Sequence, residues 1–117
     1  MNYHHEHTNG ISSFSLEGNL MSDDDREAIK QAFEEDLDNG QSRFIIDMSQ
    51  LRHMNSTGIG VFITLYTKVR SRGGEMVIVN PTENIRNLLH ITKLDAIFTI
   101  LPDRNQARLH LGVNTQS

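Results

Sequence analysis

Residues 44–60 read Phe44-Ile45-Ile46-Asp47-Met48-Ser49-Gln50-Leu51-Arg52-His53-Met54-Asn55-Ser56-Thr57-Gly58-Ile59-Gly60. The first three residues are an unbroken apolar run of strand length, the pattern of a strand covered on both faces in the middle of a helix-flanked sheet. The end of the passage opens a helix. From Ser56 to Arg72, Ile59, Phe62, Ile63, Tyr66 and Val69 make one apolar stripe, and Gly73-Gly74 supplies a C-terminal stop. The polar stretch between strand and helix reads as their connecting loop.

Working outward, the same alternation repeats. Gly10 to Leu16 carries a rough apolar alternation and ends at a Gly18-Asn19 turn signal, with Tyr3 to Thr8 as a possible antiparallel partner across Asn9-Gly10. A helix is expected from Arg26 to Leu37, where Ile29, Ala32, Phe33 and Leu37 recur at helical spacing behind Ser22 and three aspartates. Downstream, Met76 to Val79 is a second buried strand. Asn80-Pro81-Thr82-Glu83 has the form of a cap, a proline at the first helical position and a capping-box glutamate, ahead of Ile85, Leu88 and Leu89. Ala96 to Leu101 gives the last strand, and Asp103 with Gln106 starts a short helix containing Leu109 and Leu111. Strands alternating with helices favour parallel neighbours joined by crossovers of one hand. The expected fold is α/β, with a four- or five-stranded mixed, mainly parallel sheet flanked by about four helices.

A chain of 117 residues suits one domain, 1–117, built on a single core. No stretch approaches the ~20 apolar residues of a membrane span, so membrane insertion is not expected. The N-terminus lacks the basic start and apolar middle of a secretory signal, and cysteine is absent, which together suggest a cytoplasmic protein without disulfides or thiol chemistry. A net charge of -4, with acids gathered at Asp23-Asp24-Asp25 and Glu34-Glu35-Asp36, offers no basic stripe for nucleic acid.

The passage around Ser56 concentrates the chemistry. The first-turn amides of a helix have no partners within it, and Asn55 or Ser56 can satisfy one as a cap. Negative charge is also welcome there, so a phosphate on Ser56 would be favoured by the dipole and the free amides. By position alone a cap is the commoner role for such a serine. Asp47, His53 and Ser56 contain the residue types of a hydrolytic triad, but no G-x-S-x-G elbow accompanies them, and enzymatic activity is not expected. His5 and His7 would share a strand face, yet no carboxylate or further histidine stands at a fixed spacing to complete a metal set, so no metal site is assigned.

These residues resemble the STAS domain family, named for sulfate transporters and anti-sigma factor antagonists. Its hallmark is an acidic residue, an apolar residue and serine, a short spacer, then Asp-Ser-Ser/Thr-Gly with an apolar residue and glycine. Here it reads Asp47-Met48-Ser49 followed by Asn55-Ser56-Thr57-Gly58-Ile59-Gly60. Leu16-Glu17-Gly18-Asn19-Leu20 resembles the family's Gly-x-Leu turn, Gly73-Gly74-Glu75-Met76 its Gly-Gly lead into the next strand, and Leu88 through Phe98 its closing helix and strand. Three positions depart from the pattern: Asn55 stands for the usual aspartate, Met21 follows Leu20 where aspartate is common, and Lys93 replaces a glycine.

The resemblance implies a phosphorylation-gated anti-sigma factor antagonist. The unphosphorylated form would bind an anti-sigma factor that is also a serine kinase, phosphorylation at Ser56 would release it, and a serine phosphatase would reset it. The kinase brings ATP and magnesium, so no cofactor is expected on this chain. The implied partner surface comprises Asn19, Ser49, Asn55, Ser56, Thr57, Gly58 and Ile59. The alternative is a constitutive STAS subunit of a transport or signalling assembly in which Ser56 is never modified. Asn55 gives that reading its weight.

Overall fold

A computed structural model describes residues 1–112. The strands are β1 (Asn2–Thr8), β2 (Ile11–Leu20), β3 (Arg43–Met54), β4 (Glu75–Val79) and β5 (Thr99–Leu101). They lie side by side in chain order, β1 antiparallel to β2 and every later pair parallel. Between them run α1 (Asp23–Asp38), α2 (Ser56–Ser71) and α3 (Glu83–Ile91), and α4 (Arg104–His110) follows β5. This is the five-stranded mixed sheet with four helices that the alternation predicts.

The two faces of the sheet follow from the period of two along its central strands. Phe44 and Ile46 of β3, with Met76 and Ile78 of β4, pack with Ile29 and Phe33 of α1, Phe62 and Leu65 of α2, and Ile85 and Leu89 of α3. Ile45, Val77 and Val79 point the other way and join Ala107 and Leu111. Three helices therefore cover one face and α4 the other, which is why those strands read as continuous apolar runs.

Four sequence expectations need correction. β3 does not end after Ile46 but continues to Met54, so the presumed loop from Asp47 is strand. Its register with β2 explains the disguise: Ser15 pairs with Asp47, Glu17 with Gln50, Gly18 with Leu51 and Asn19 with His53. At two points β3 carries one residue more than β2, and each such bulge stretches the inward period from two to three. Met48, Leu51 and Met54 are accordingly the buried residues of this stretch. The Gly18-Asn19 signal is likewise not a turn but part of β2, Gly18 having φ +90 beside the second bulge.

The start of α3 differs too. Thr82, not Asn80, occupies the cap position, and its hydroxyl donates to the Leu51 carbonyl at 2.8 Å instead of capping the helix. Asn80 adopts a left-handed conformation and its N–H joins the Leu101 carbonyl at 2.9 Å, tying β4 to β5. Finally, the last strand begins at Thr99, because Leu94–Ala96 form a 3-10 turn.

Candidate functional site

Parallel strands β2 and β3 end together, Asn19 opposite His53 and Leu20 opposite Met54. Both chain connections, into α1 and into α2, therefore leave the same edge of the sheet, the place where open α/β sheets present their binding residues. Asn55 organises this edge. Its Oδ1 accepts the Gly58 N–H at 3.0 Å, its Nδ2 donates to the Met21 carbonyl at 3.1 Å, and its own N–H reaches the Leu20 carbonyl at 3.4 Å. One side chain thus caps α2 and ties that cap to the β2–α1 connection.

Ser56 is the first residue of α2 and is exposed. Since Asn55 makes the capping bond, the commoner role for Ser56 is already filled by its neighbour. Thr57 is half-buried and lines a groove of about 390 Å³ with Arg26, Glu27, Lys30, Gly60 and Thr64. Gly58 is buried because nothing larger fits: a Cβ there would lie 2.6 Å from Met54 Cγ and 2.9 Å from the Leu20 carbonyl oxygen. Gly60 differs, with open space where its Cβ would stand. Close packing explains the first glycine and not the second. Ile59 is partly buried against the main core, and Asn19 is exposed at the end of β2 beside Arg52.

Ser49 stands apart from this group. It lies back along β3 in the first bulge, where its N–H donates to Asp47 Oδ1 at 2.9 Å. The other Asp47 oxygen accepts from Arg104 Nε at 3.2 Å, and Arg104 also reaches Glu6 at 3.1 Å. The Asp-x-Ser element is thus a clamp holding the bulge and α4. Among the described residues, neither His53 nor Ser56 is a hydrogen-bond partner of the Asp47 carboxylate, whose partners are Ser49 and Arg104.

A STAS domain model matches residues 3–107. The chain belongs to the STAS domain family. A Thermotoga neapolitana protein provisionally named as an anti-sigma factor antagonist is 31% identical over 78 residues, 67% of this chain and 69% of that one. The anti-sigma F factor antagonist of Paenibacillus polymyxa is 26% identical over 109 residues, 92% of each chain. The crystal structure of a Thermotoga maritima protein, also provisionally named as an anti-sigma factor antagonist, superposes with a TM-score of 0.87 over 94% of each chain at 21% identity.

Within this STAS domain the departures from the family pattern have physical readings. An aspartate at position 55 could accept the Gly58 N–H but could not donate to the Met21 carbonyl, so asparagine adds a bond as it removes a charge. Lys93 has φ 62, the left-handed conformation that glycine adopts without cost, and it closes α3 into the 3-10 turn. Met21 is 52% exposed, an apolar side chain on the rim beside Asn55. Ser22 Oγ caps α1 through the Asp25 N–H at 3.1 Å, and the three aspartates fill its first turn.

Residues that the sequence reading missed come mainly from α1. Arg26 and Lys30 face the groove at Thr57. Their i, i+4 spacing on a helix was visible, but nothing in the chain said that this face of α1 looks onto α2. Asp36 was also missed. Both His5 and His7 lie within hydrogen-bonding distance of its carboxylate, a juxtaposition that no spacing in the sequence announces.

Proposed function

We propose that this STAS domain is an anti-sigma factor antagonist whose binding to a serine-kinase anti-sigma factor is gated by phosphorylation of Ser56. One observation carries the reading: Ser56 is exposed at the head of α2 while Asn55 makes the cap bond. A hydroxyl free of structural duty can be phosphorylated without dismantling the helix.

The surroundings suit such a switch. The N-terminus of α2 contributes a positive dipole end, its first turn contains no acidic residue, and the neighbouring groove at Thr57 carries Arg26 and Lys30 against one acidic residue, Glu27. A phosphate of roughly -1.5 to -2 charges is tolerated there in the free protein. In a complex the same group must be desolvated and repels acidic partner groups, so the partner is released. Asn19, Asn55, Thr57 and Ile59 supply the rest of the contact surface, with Gly58 allowing the helix head to sit close on the sheet. Ser49 contributes through the bulge. A serine phosphatase restores the binding form.

The direct test is incubation with a cognate kinase and ATP, followed by peptide mass spectrometry and a pull-down. One phosphate, on Ser56, with loss of binding, supports the switch. Unchanged binding after modification, or phosphate elsewhere, would instead favour a constitutive subunit of a transport or signalling assembly.

A further inference from the structure

At the opposite end of the sheet from Ser56, β1 and α1 bring together three side chains that the proposed switch does not use. His5 and His7 are two apart on β1 and so project to one face. Asp36, in the last turns of α1, meets both: His5 Nε2 lies 2.6 Å from Oδ2 and His7 Nε2 lies 3.0 Å from Oδ1. One ligand atom from each residue falls within 4.8 Å of the other two. The Asp36 side chain is 4% exposed, whereas that of His7 is 49% exposed. A buried carboxylate thus faces two imidazoles, with an open approach from solvent on one side.

The geometry points to a divalent transition-metal site formed by His5, His7 and Asp36, with Zn²⁺ the ion its donors suit best. Two imidazole nitrogens and one carboxylate oxygen are borderline ligands, typical of zinc and poorly matched to calcium or magnesium. Ligands about 2.0–2.2 Å from one ion stand roughly 3.4 Å apart at tetrahedral angles, so the 2.6 and 3.0 Å imidazole–carboxylate contacts would each open by less than about 1 Å. Water would complete the coordination on the exposed side. On binding, each ring proton at Nε2 leaves that nitrogen for Nδ1 or for solvent, and the ion takes over the carboxylate contact.

Neighbouring groups hold the ligands in place. The His5 ring stacks on Phe14, centroids 4.2 Å apart and planes 8° from parallel, and His7 meets it edge-on at 4.6 Å. Asp36 is fixed by its helix, and its own backbone carbonyl accepts the N–H groups of Asn39 and Gln41. An ion here would clip the edge strand β1 to α1. It acts on the stability of the fold, because the Ser56 surface lies at the other end of α1.

The competing role is a plain pair of imidazole hydrogen bonds to a buried carboxylate, and the experiment separates the two. The full chain is stripped with a chelator, dialysed and titrated with Zn²⁺ by calorimetry, with thermal melts in parallel. One saturable ion per chain is expected, and a hundredfold excess over Kd should raise Tm by about 5 °C or more. His7→Gln, at a half-exposed position that leaves folding intact, and Asp36→Asn should each weaken binding more than about tenfold. His4→Gln is the control, since His4 faces Glu17 on the other side of β1 and should bind as the parent does. Absence of saturable Zn²⁺ binding overturns the site. So does binding that survives in the His5→Gln/His7→Gln double variant.

Discussion

Asn55 accepts the Gly58 N–H at 3.0 Å, so the residue before the exposed serine, and not the serine itself, caps helix α2. The division of labour is physical: the asparagine carries the structural bond and leaves the Ser56 hydroxyl available. Asn55→Ala should therefore cost about 1–2 kcal/mol in urea denaturation, and Ser56→Ala should stay within about 0.5 kcal/mol of the parent. Asn55→Asp should fall between them, keeping the acceptor and losing the donor to Met21.

The two glycines of the motif should behave in opposite ways. Gly58→Ala drives a Cβ to within 2.9 Å of the Leu20 carbonyl oxygen, a backbone atom that cannot swing aside. A loss of about 1–3 kcal/mol is expected. Gly60→Ala meets open space inside a helix and should be neutral or stabilising by up to about 1 kcal/mol. Parallel denaturation curves would compare them.

Arg104 joins α4 to the first bulge of β3 through Asp47, and also reaches Glu6 on β1. Removing the carboxylate leaves the Ser49 N–H and Arg104 Nε without their acceptor in a half-buried place, while Arg104 Nη1 keeps its bond to Glu6. Asp47→Ala should cost about 1–3 kcal/mol. The change should loosen α4, read as faster hydrogen exchange in residues 104–111. Protection equal to the parent's would show that the clamp is ornamental.

Much of this architecture was legible in the chain. Phe44-Ile45-Ile46 and Met76 to Val79 announced strands covered on both faces, and the apolar spacing from Ile59 to Val69 announced α2, although its buried face runs through Val61, Phe62, Leu65 and Val69 and leaves Ile63 exposed. The stretch from Asp47 to Met54 was not legible as strand. Two bulges convert its inward spacing to Met48, Leu51 and Met54, which matches neither the strand nor the helix period. Asn80-Pro81-Thr82-Glu83 misled for a related reason: a local capping pattern lost to tertiary bonds from Asn80 to Leu101 and from Thr82 to Leu51. Ser56 could be found from the motif. Arg26, Lys30 and Asp36 could not, since their proximity to the sites depends on how α1 packs and no spacing rule links residues so far apart in sequence.

A switch at Ser56 further implies that charge at this one position should suffice. Ser56→Asp is expected to weaken binding to the kinase anti-sigma factor by at least ~1.4 kcal/mol, a tenfold loss. Ser56→Ala should bind as the parent does yet take up no phosphate. Calorimetry with the two variants side by side separates the loss of charge control from a loss of fold.

The most direct measurement is the affinity of one preparation for its kinase anti-sigma factor before and after enzymatic phosphorylation, with the modified residue mapped by mass spectrometry. The account predicts a single phosphate on Ser56 and at least a ~10-fold rise in Kd, reversed by phosphatase. Equal affinity for the two forms, with Ser56 fully phosphorylated, would contradict it.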